Sequence, residues 1–330
     1  MILITGGAGF IGSALAHELY ARDPQNCKLI IVDRIGSKEH KWKNLLGLKF
    51  CEYVHADELF LPEKATLRSS VRAIYHLGAC SDTTERNVDY LMKNNYYYSR
   101  AIWDWAMSVR IPLVYASSAA TYGNGEFAYS DEESIDRYRP LNAYGYSKQV
   151  FDQWVLSKAS ATLFSMPWYG LKFFNVYGAN EAHKGAMSSV AFKAHEQIVR
   201  GNGRVKLFKS QRSDFKDGEQ LRDFIYVKDA VRAMILFMEQ AAAAKPTVHS
   251  GIYNMGTGKA RSFNDLVGAV FKALNLPTAI DYIDMPPEIA SQYQYFTEAT
   301  MNKFSRAFPD FKFTSLEDGI SDYVQNHLKH

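Results

Sequence analysis

Three kinds of feature are scarce in this sequence. No apolar run approaches the ~20 residues that a membrane-crossing helix needs, so we expect no transmembrane segment. The 38 basic and 35 acidic residues leave a formal net charge of only +3, which is too balanced for the basic surface of a nucleic-acid-binding protein. The three scattered cysteines, Cys27, Cys51 and Cys80, favour neither a disulfide framework nor a zinc site. We therefore expect a soluble cytoplasmic protein without a metal.

The N-terminal segment also has little that is typical of a targeting sequence. The opening MILITGGAGFIG has no basic stretch before its apolar residues, so we expect no signal peptide. The short apolar run has the pattern of a β-strand instead.

Strand and helix patterns alternate from the first residue onwards. The apolar strand segments are MILIT, KLIIVD, AIYHLGA, PLVYASS and GLKFFNVYG, and the helical segments include residues 11–21, residues 87–110 and a helix that starts at Tyr144. Near-continuous apolar strands separated by helices are typical of a parallel sheet that is covered on both faces. With 330 residues, of which 47% are hydrophobic, the chain is long enough for about two domains.

The C-terminal half predicts both a return to this sheet and a second lobe. RDFIYVKDAVRAMILFME and GIYNMGTG have a strand-helix-strand pattern that can rejoin the sheet. VKLF, SFNDLVGAVFKAL, IDYIDMP and two C-terminal helical stretches fit a smaller α/β lobe. We predict a large domain from residues 1–172, rejoined by about 223–258, and a smaller substrate-binding domain from residues 173–222 and 259–330.

Gly6, Gly9 and Gly12 lie in TGGAGFIG, directly after the first strand and at the start of the first helix. Glycines at this spacing permit a tight turn and let the backbone approach a pyrophosphate, which the helix N-terminus then binds. The motif and its position predict a Rossmann fold, a doubly wound parallel sheet, with a bound dinucleotide.

Charged residues at the end of the second strand bear on which dinucleotide is bound. Asp33 is spaced as the acid that binds the adenosine ribose and would by itself favour NAD. Arg34 and Lys38 follow it and could hold a 2′-phosphate, although both are also compatible with ordinary loop charges. We predict NADP, with NAD as the second choice.

Tyr144 and Lys148 in YGYSK are four residues apart on a predicted helix and therefore share one face. YASSAATYG places Ser117 and Ser118 at the C-terminal end of a strand, where ligands of open α/β sheets bind. A tyrosine with a pKa near 10 becomes a usable base at neutral pH when an ammonium group and an oxidised nicotinamide favour its phenolate. The arrangement predicts a general base at a redox centre.

TGGAGFIG, YASSAATYG and YGYSK resemble the extended short-chain dehydrogenase/reductase family, whose members act mainly on nucleotide sugars. Within it, LGACSDTTE, NNYYYS, FFNVYG, HKGAMSSVAF, RDFIYV and NMGTG are similar, over nearly the whole chain, to the ADP-heptose 6-epimerase subfamily. The resemblance implies inversion of the C6 centre of ADP-glycero-manno-heptose by transient oxidation and re-reduction with one bound NADP.

From the residues alone we would interpret Lys184 as a solvated loop lysine, but the subfamily chemistry implies a role for it. C6 lies outside the sugar ring, so rotation about the C5–C6 bond presents the other face of the carbonyl to a fixed hydride donor. That rotation moves the oxygen, and one base serves only one of its two positions because proton transfer needs heavy atoms about 2.6–3.2 Å apart. The resemblance implies Tyr144 and Lys184 as the two acid/base groups, with Lys148 and Ser118 assisting Tyr144.

Further site residues are implied position by position. The implied cofactor residues are Gly6, Gly9, Phe10, Ile11, Gly12, Asp33, Arg34, Lys38, Leu77, Gly78, Ala79, Cys80, Ser81, Asn94, Lys148 and Val176. The implied substrate residues are Asn175, Ala186, Lys193, Phe208, Lys209, Ser210, Arg222 and Tyr293, with Arg222 as a diphosphate clamp. Leu77, Ala186 and Lys193 depart from the subfamily pattern, and the segment between Lys209 and Arg222 is longer than usual.

Two other functions stay open at this point. A UDP-hexose 4-epimerase, or another nucleotide-sugar enzyme of the same family, would share the fold and the Tyr144–Lys148 pair. The 4-epimerase would have no need of Lys184. A non-catalytic NADP-binding protein commonly lacks the tyrosine or the lysine, both of which are present here. The resemblance also implies a homo-oligomer, a pentamer in this subfamily, and a role in lipopolysaccharide core biosynthesis.

Overall fold

The computed structural model of the chain describes residues 1–36, 40–161, 166–243, 245–287 and 293–328. Its strands are β1 (Ile2–Thr5), β2 (Leu29–Asp33), β3 (Glu52–His55), β4 (Ala73–His76), β5 (Leu113–Ser118), β6 (Trp168–Phe173), β7 (Asn175–Tyr177), β8 (Val205–Phe208), β9 (Leu221–Tyr226), β10 (Gly251–Met255), β11 (Ala260–Ser262) and β12 (Ile280–Ile283). In this described part of the chain the strands form three sheets. The large sheet is parallel throughout, with the order β3-β2-β1-β4-β5-β6-β10.

The strands of the large sheet bury apolar side chains on both faces. Leu3 of β1 and Ile30 of β2 belong to one hydrophobic cluster, whereas the next residues, Ile4 and Ile31, belong to another. All four side chains are fully buried. Because successive residues of a strand point to opposite faces, both faces are covered, which explains the near-continuous apolar strands of the sequence.

Helices flank the large sheet and complete the second lobe. They are α1 (Phe10–Arg22), α2 (Ala65–Ser69), α3 (Val88–Leu91), α4 (Tyr98–Ser108), α5 (Ala143–Ala161), α6 (Val190–Arg200), α7 (Val227–Ala242) and α8 (Phe263–Ala273), followed by the C-terminal helices Asn302–Ala307 and Leu316–His327. A π-helical segment, Met92–Tyr97, joins α3 to α4. The helix that we predicted over residues 87–110 therefore contains a π-bulge, a feature that occurs often at functional sites.

Two smaller sheets form the second lobe. In one, β9 pairs in parallel with β7 and in antiparallel with β11; in the other, β8 pairs in parallel with β12. The chain passes from the large sheet into this lobe directly after β6, since only Phe174 separates β6 from β7. The carboxyl ends of the parallel strands and the second lobe thus border one cleft, the usual ligand site of an open α/β sheet.

The structure confirms the α/β Rossmann class and differs from the prediction in three elements. The segment GLKFFNVYG, predicted as one strand, is divided at Phe174 into β6 and β7, which belong to different sheets. We expected β9 to rejoin the large sheet, but β9 pairs with β7 and β11, and it is β10 that adds to the large sheet beside β6. The segment EYVH, which is not among the predicted strands, forms β3 at the edge of the large sheet. The division of the chain into the two domains stays a prediction.

None of the helices in the described ranges combines the length and the apolar character that crossing a bilayer requires. Lys38, one of the predicted cofactor residues, lies outside the described residues. The predicted cytoplasmic location stays a prediction.

Candidate active site

The glycine-rich turn between β1 and α1 packs so closely against backbone atoms that no side chain would fit at Gly6 or Gly12. Gly6 adopts a φ of +68°, and a Cβ there would lie 2.7 Å from the backbone nitrogen of Gly78. A Cβ on Gly12 would lie 2.1 Å from the carbonyl oxygen of Gly6. At the start of α1, Gly9 offers no side chain to cap the helix, so the N–H groups of the first turn are available to an anion. The turn fits the pyrophosphate of a dinucleotide.

Asp33 lies at the carboxyl end of β2 and holds this turn. Its Oδ2 accepts a hydrogen bond from the Ala8 N–H at 2.9 Å. Its Oδ1 accepts from the Arg34 N–H at 2.7 Å and forms an ion pair with the ammonium of Lys41 at 2.6 Å. Asp33 is 6% exposed, so its charge is compensated within the protein rather than by solvent.

Arg34 and Asn94, two of the predicted cofactor residues, lie side by side. Its Nη1 donates to Asn94 Oδ1 at 2.7 Å, and its guanidinium also pairs with Asp57 and lies 5.9 Å from the centre of the Tyr98 ring. The hydrogen bond to Asp57 raises the pKa of Arg34, and the same bond lowers the pKa of Asp57. Arg34 is therefore a fixed positive charge next to the carboxyl end of β2.

The loop after β4 contains Leu77, Gly78, Ala79, Cys80 and Ser81, and two side chains fix it from below. The Gly78 N–H donates to Thr5 Oγ1 at 3.0 Å. Asn95, on the π-helical segment, accepts from the Cys80 N–H at 2.8 Å and donates to the Cys80 carbonyl at 2.9 Å. The loop is thus held against the glycine-rich turn.

The predicted catalytic residues Ser118, Tyr144 and Lys148 meet between β5 and α5. Ser118 hydrogen-bonds to Tyr144; burial raises the pKa of Tyr144, and this hydrogen bond opposes the rise. The Lys148 ammonium donates to the Ala116 carbonyl at 2.9 Å. Burial lowers the pKa of Lys148 to about 8, although the nearby Asp152 carboxylate acts to raise it. Lys148 is therefore mostly charged at neutral pH, and Tyr144 needs a further positive charge to ionise.

Lys184 lies on the 3-10 segment Ala182–Met187, in the stretch that follows β7. Its ammonium is 5.6 Å from the centre of the Phe10 ring, at the first residue of α1. Further along the same segment, the Sδ of Met187 lies 3.7 Å from the Thr83 hydroxyl in the stretch after β4. The segment thus contacts both the start of α1 and the stretch after β4.

Buried polar groups hold the Lys184 segment at its base. The Glu181 carboxylate accepts hydrogen bonds from the backbone of Gly178, at 3.1 Å, and from the hydroxyl of Ser189, at 2.8 Å. Asn44 donates to the carbonyls of Ala8 and Asn180, both at 3.0 Å, and so ties the glycine-rich turn to this segment. The backbone that carries Lys184 is therefore fixed from both sides.

Phe208, Arg222 and Tyr293 come together in the second lobe. The Arg222 guanidinium lies 5.1 Å from the centre of the Tyr293 ring, and the Phe208 and Tyr293 rings pack edge to face with centres 6.4 Å apart. Burial lowers the pKa of Arg222. Two of its guanidinium nitrogens donate to the carbonyls of Leu221 and Gln294. These three predicted substrate residues form one cationic and aromatic cluster.

The other predicted substrate residues are less concentrated. Asn175 is exposed at the start of β7, whereas its neighbour Val176, predicted for the cofactor, packs against the hydrophobic core. Lys209 is exposed and pairs with Asp284 at 3.0 Å, and the Ser210 N–H donates to Asp217 at 2.8 Å. Ala186 and Lys193 are exposed. Their roles stay predictions.

Comparisons with known proteins agree with this geometry. A model of the NAD dependent epimerase/dehydratase family matches residues 2–256. The ADP-L-glycero-D-manno-heptose-6-epimerase of Nitratidesulfovibrio vulgaris (strain DP4) is 45% identical over 330 residues, which cover 99% of this chain and 98% of that protein. The protein of the same name from Fusobacterium nucleatum is 44% identical over 339 residues, with 99% and 98% covered. The crystal structure of the Helicobacter pylori ADP-L-glycero-D-manno-heptose-6-epimerase matches with a TM-score of 0.78 at 32% identity, over 98% of this chain and 94% of that one.

The chain belongs to the ADP-L-glycero-D-manno-heptose-6-epimerase family. The predicted family and the predicted enzyme class, a nucleotide-sugar epimerase, are confirmed. The wider family is NAD dependent, so the cofactor is a nicotinamide dinucleotide.

Two parts of the site in this heptose epimerase family member were not predicted. The first is Lys41, eight positions after Asp33, whose ion pair with that residue gave no sequence signal because it lies in a charged loop. The second is a cavity of about 470 Å³ beside Tyr293, which is also lined by Arg212, Phe215 and Tyr295. Arg212 lies 5.1 Å from the centre of the Tyr295 ring. The unusual length of the segment after Lys209 was the one signal for this cavity.

Proposed function

We propose that the protein is an NADP-dependent epimerase that inverts C6 of the heptose in ADP-glycero-manno-heptose, with Tyr144 and Lys184 as its two acid/base groups. One observation supports the proposal above all others. Lys184 lies over Phe10, at the helix N-terminus that receives the dinucleotide, while Tyr144 enters the cleft from α5 beside Ser118. Two titratable side chains thus approach the dinucleotide site from different elements.

The geometry of inversion needs both groups. A bound nicotinamide ring supplies the hydride acceptor and donor for C6. Tyr144, held by Ser118, would accept the proton of the C6 hydroxyl as C6 is oxidised. After rotation about the C5–C6 bond the oxygen lies on the other side, where Lys184 would donate a proton to it as C6 is reduced.

The proton balance of this cycle is closed by exchange with solvent. One turnover leaves Tyr144 protonated and Lys184 neutral, so each must exchange one proton with water before the same direction is repeated. In the reverse direction the neutral Lys184 accepts the hydroxyl proton and the Tyr144 phenol donates. Lys148, buried and mostly charged near neutral pH, favours the Tyr144 phenolate in both directions.

The preference for NADP rests on the charges around Asp33. A carboxylate at this position repels a 2′-phosphate, but Lys41 compensates Asp33 at 2.6 Å, and Arg34 adds a second positive charge nearby. Asp57 balances the charge of Arg34, so the preference depends on the guanidinium itself, which can bind a 2′-phosphate at the adenosine ribose once Lys41 offsets Asp33. The homo-oligomer, with the pentamer as its subfamily form, and the role in lipopolysaccharide core biosynthesis stay predictions.

The purified protein tests the proposal when it is incubated with each C6 epimer of ADP-heptose and the configuration at C6 is followed by NMR. We expect the same equilibrium mixture from either epimer, without added cofactor beyond one equivalent of NADP. Conversion of UDP-galactose with no conversion of ADP-heptose would replace the proposal with a UDP-hexose 4-epimerase. Binding of NADP without turnover of either sugar would indicate a non-catalytic protein.

A further inference from the structure

Asp152 and Lys172 form an ion pair in the interior of the large domain. The Lys172 ammonium lies 2.7 Å from Asp152 Oδ2, and the two residues are 2% and 0% exposed. Lys172 is on β6, and Asp152 is on α5, the helix that also carries Tyr144 and Lys148. The proposed proton transfers use neither member of the pair.

The pair is fully integrated into the elements around Ser118. Asp152 accepts hydrogen bonds from the Tyr115 hydroxyl at 3.1 Å and from the Ser117 hydroxyl at 2.6 Å, both on β5. Lys172 donates to the Thr121 hydroxyl at 2.7 Å, in the turn that follows Ser118. The pair therefore connects α5, β5, β6 and this turn within one turn of helix of the catalytic lysine.

Stability alone is a weak reason for such a pair. Removing two charges from water costs free energy that their attraction offsets only when the geometry is excellent, and well-packed apolar replacements are often as stable. The position of the pair points to another role. Asp152 is one helical turn after Lys148 and therefore lies on the same face of α5.

Among the charged and titratable groups around Lys148, Asp152 is the main source of negative charge. Asp152 acts on Lys148 from its own helix, and Cys80 acts in the same direction from the loop after β4. His76 on β4 faces Lys148, and burial lowers the pKa of His76 to about 3, so this ring is neutral. Tyr144 is neutral until it gives up its proton. Lys172 on β6 compensates the charge of Asp152.

We infer that Asp152 is a positioning residue that keeps Lys148 protonated at neutral pH, and that Lys172 limits this effect by pairing with Asp152. The role depends on the proposed function only in that Lys148 assists Tyr144 there. Its most direct consequence, the charge on Lys148, affects cofactor binding whether or not ADP-heptose is the substrate.

The test measures NADP affinity against pH by titration calorimetry in the full-length protein freed of its nucleotide, with NAD as a second arm. In the unsubstituted protein we expect affinity to fall above about pH 8, where Lys148 loses its proton. The double variant Asp152→Asn/Lys172→Met removes both charges of the ion pair, so neither member of the pair is left without its partner. We expect its midpoint to move down by about one pH unit.

Two further variants separate charge from packing. Ser117→Ala removes a hydrogen bond to Asp152 and keeps both charges, so its midpoint should not move. Lys172→Met alone leaves Asp152 without its counter-charge, so its midpoint should rise. The expected rise in Lys172→Met tests the charge effect even if the double variant fails to fold.

An unchanged midpoint in the folded double variant, or in folded Lys172→Met, would overturn the inference, because a purely structural role changes affinity equally at every pH. Failure of this inference is distinguishable from failure of the proposed function, since calorimetry needs no turnover. A shifted midpoint without conversion of ADP-heptose would support the role of Asp152 and contradict the proposed substrate.

Discussion

The ammonium of Lys184 lies 5.6 Å from the centre of the Phe10 ring, in a cation–π contact across the entrance of the dinucleotide site. Phe10 is the first residue of α1, so this contact brings the Lys184 segment to the helix end that we predict to bind the pyrophosphate. Tyr144 lies on α5, where it hydrogen-bonds to Ser118 at the carboxyl end of β5.

Tyr144→Phe removes one hydroxyl and should reduce the rate of C6 inversion by about 10²–10⁴-fold, because the variant lacks the proton acceptor beside Ser118. NADP should still bind, since Lys148 and the glycine-rich turn are unchanged. The matched control is Tyr146→Phe, at a half-exposed tyrosine on the same helix, which should keep its activity. Equal rates for the two variants would remove Tyr144 from the mechanism.

Lys41→Met should weaken NADP binding more than NAD binding. Without Lys41, the Asp33 carboxylate keeps its full negative charge beside the adenosine ribose and repels a 2′-phosphate. We expect the ratio of the two affinities, measured by titration calorimetry, to fall by about tenfold, which corresponds to ~1.4 kcal/mol. Lys43→Met, at an exposed lysine two positions away, is the control and should leave the ratio unchanged. A similar loss for both cofactors in Lys41→Met would contradict the assignment.

Lys148 should give NADP binding a pH dependence. Because burial lowers its pKa to about 8, its ammonium is lost above that pH, and affinity should then fall by up to about tenfold per pH unit. Lys148→Met should bind more weakly at pH 7 and should lack this decline. If both proteins decline in parallel above pH 8, another group is responsible.

His76 should make the protein less stable in acid. The ring is buried between Thr5 and Ser99, at 2.6 and 2.8 Å, and burial lowers its pKa to about 3 from about 6.5 in the unfolded chain. The unfolded chain therefore binds more protons between pH 6.5 and 3, so the free energy of unfolding falls as the pH is lowered through this window. The loss from this residue is at most about 4–5 kcal/mol.

His76→Gln tests this acid dependence, because its amide can form similar hydrogen bonds but does not titrate. Denaturant unfolding at several pH values should show a smaller loss of stability between pH 6.5 and pH 4 in the variant. An identical loss in both proteins would mean that other groups determine acid unfolding.

The large sheet, the glycine-rich turn and the Tyr144–Lys148 pair were predictable because their signals in the sequence are local. Buried parallel strands need apolar residues at almost every position, and a pyrophosphate turn needs Gly6 and Gly12 where a Cβ would collide with backbone. Tyr144 and Lys148 share a helix face by spacing alone. Each of these features depends on residues that are close together in the chain.

The features that escaped prediction depend on contacts between distant segments. The pairing of β9 with β7 instead of the large sheet is a choice between two possible partners, and the sequence of β9 is apolar enough for either. The Asp33–Lys41 pair depends on the path of a charged loop. The cavity lined by Arg212 and Tyr295 forms between a long loop and a segment some 80 positions later in the chain. Sequence periodicity contains no information about such contacts.

The comparison of Lys184→Met with Lys272→Met tests the central claim most directly, because both variants replace a lysine with an apolar chain of similar length and Lys272 is an exposed residue of α8. Each folded protein is incubated with one C6 epimer of ADP-heptose, and the configuration at C6 is followed by NMR. The account predicts that Lys184→Met binds NADP normally but inverts C6 about 10²–10⁴-fold more slowly, whereas Lys272→Met matches the unsubstituted protein. Near-normal inversion by Lys184→Met would contradict the account and leave Lys184 as an ordinary loop lysine.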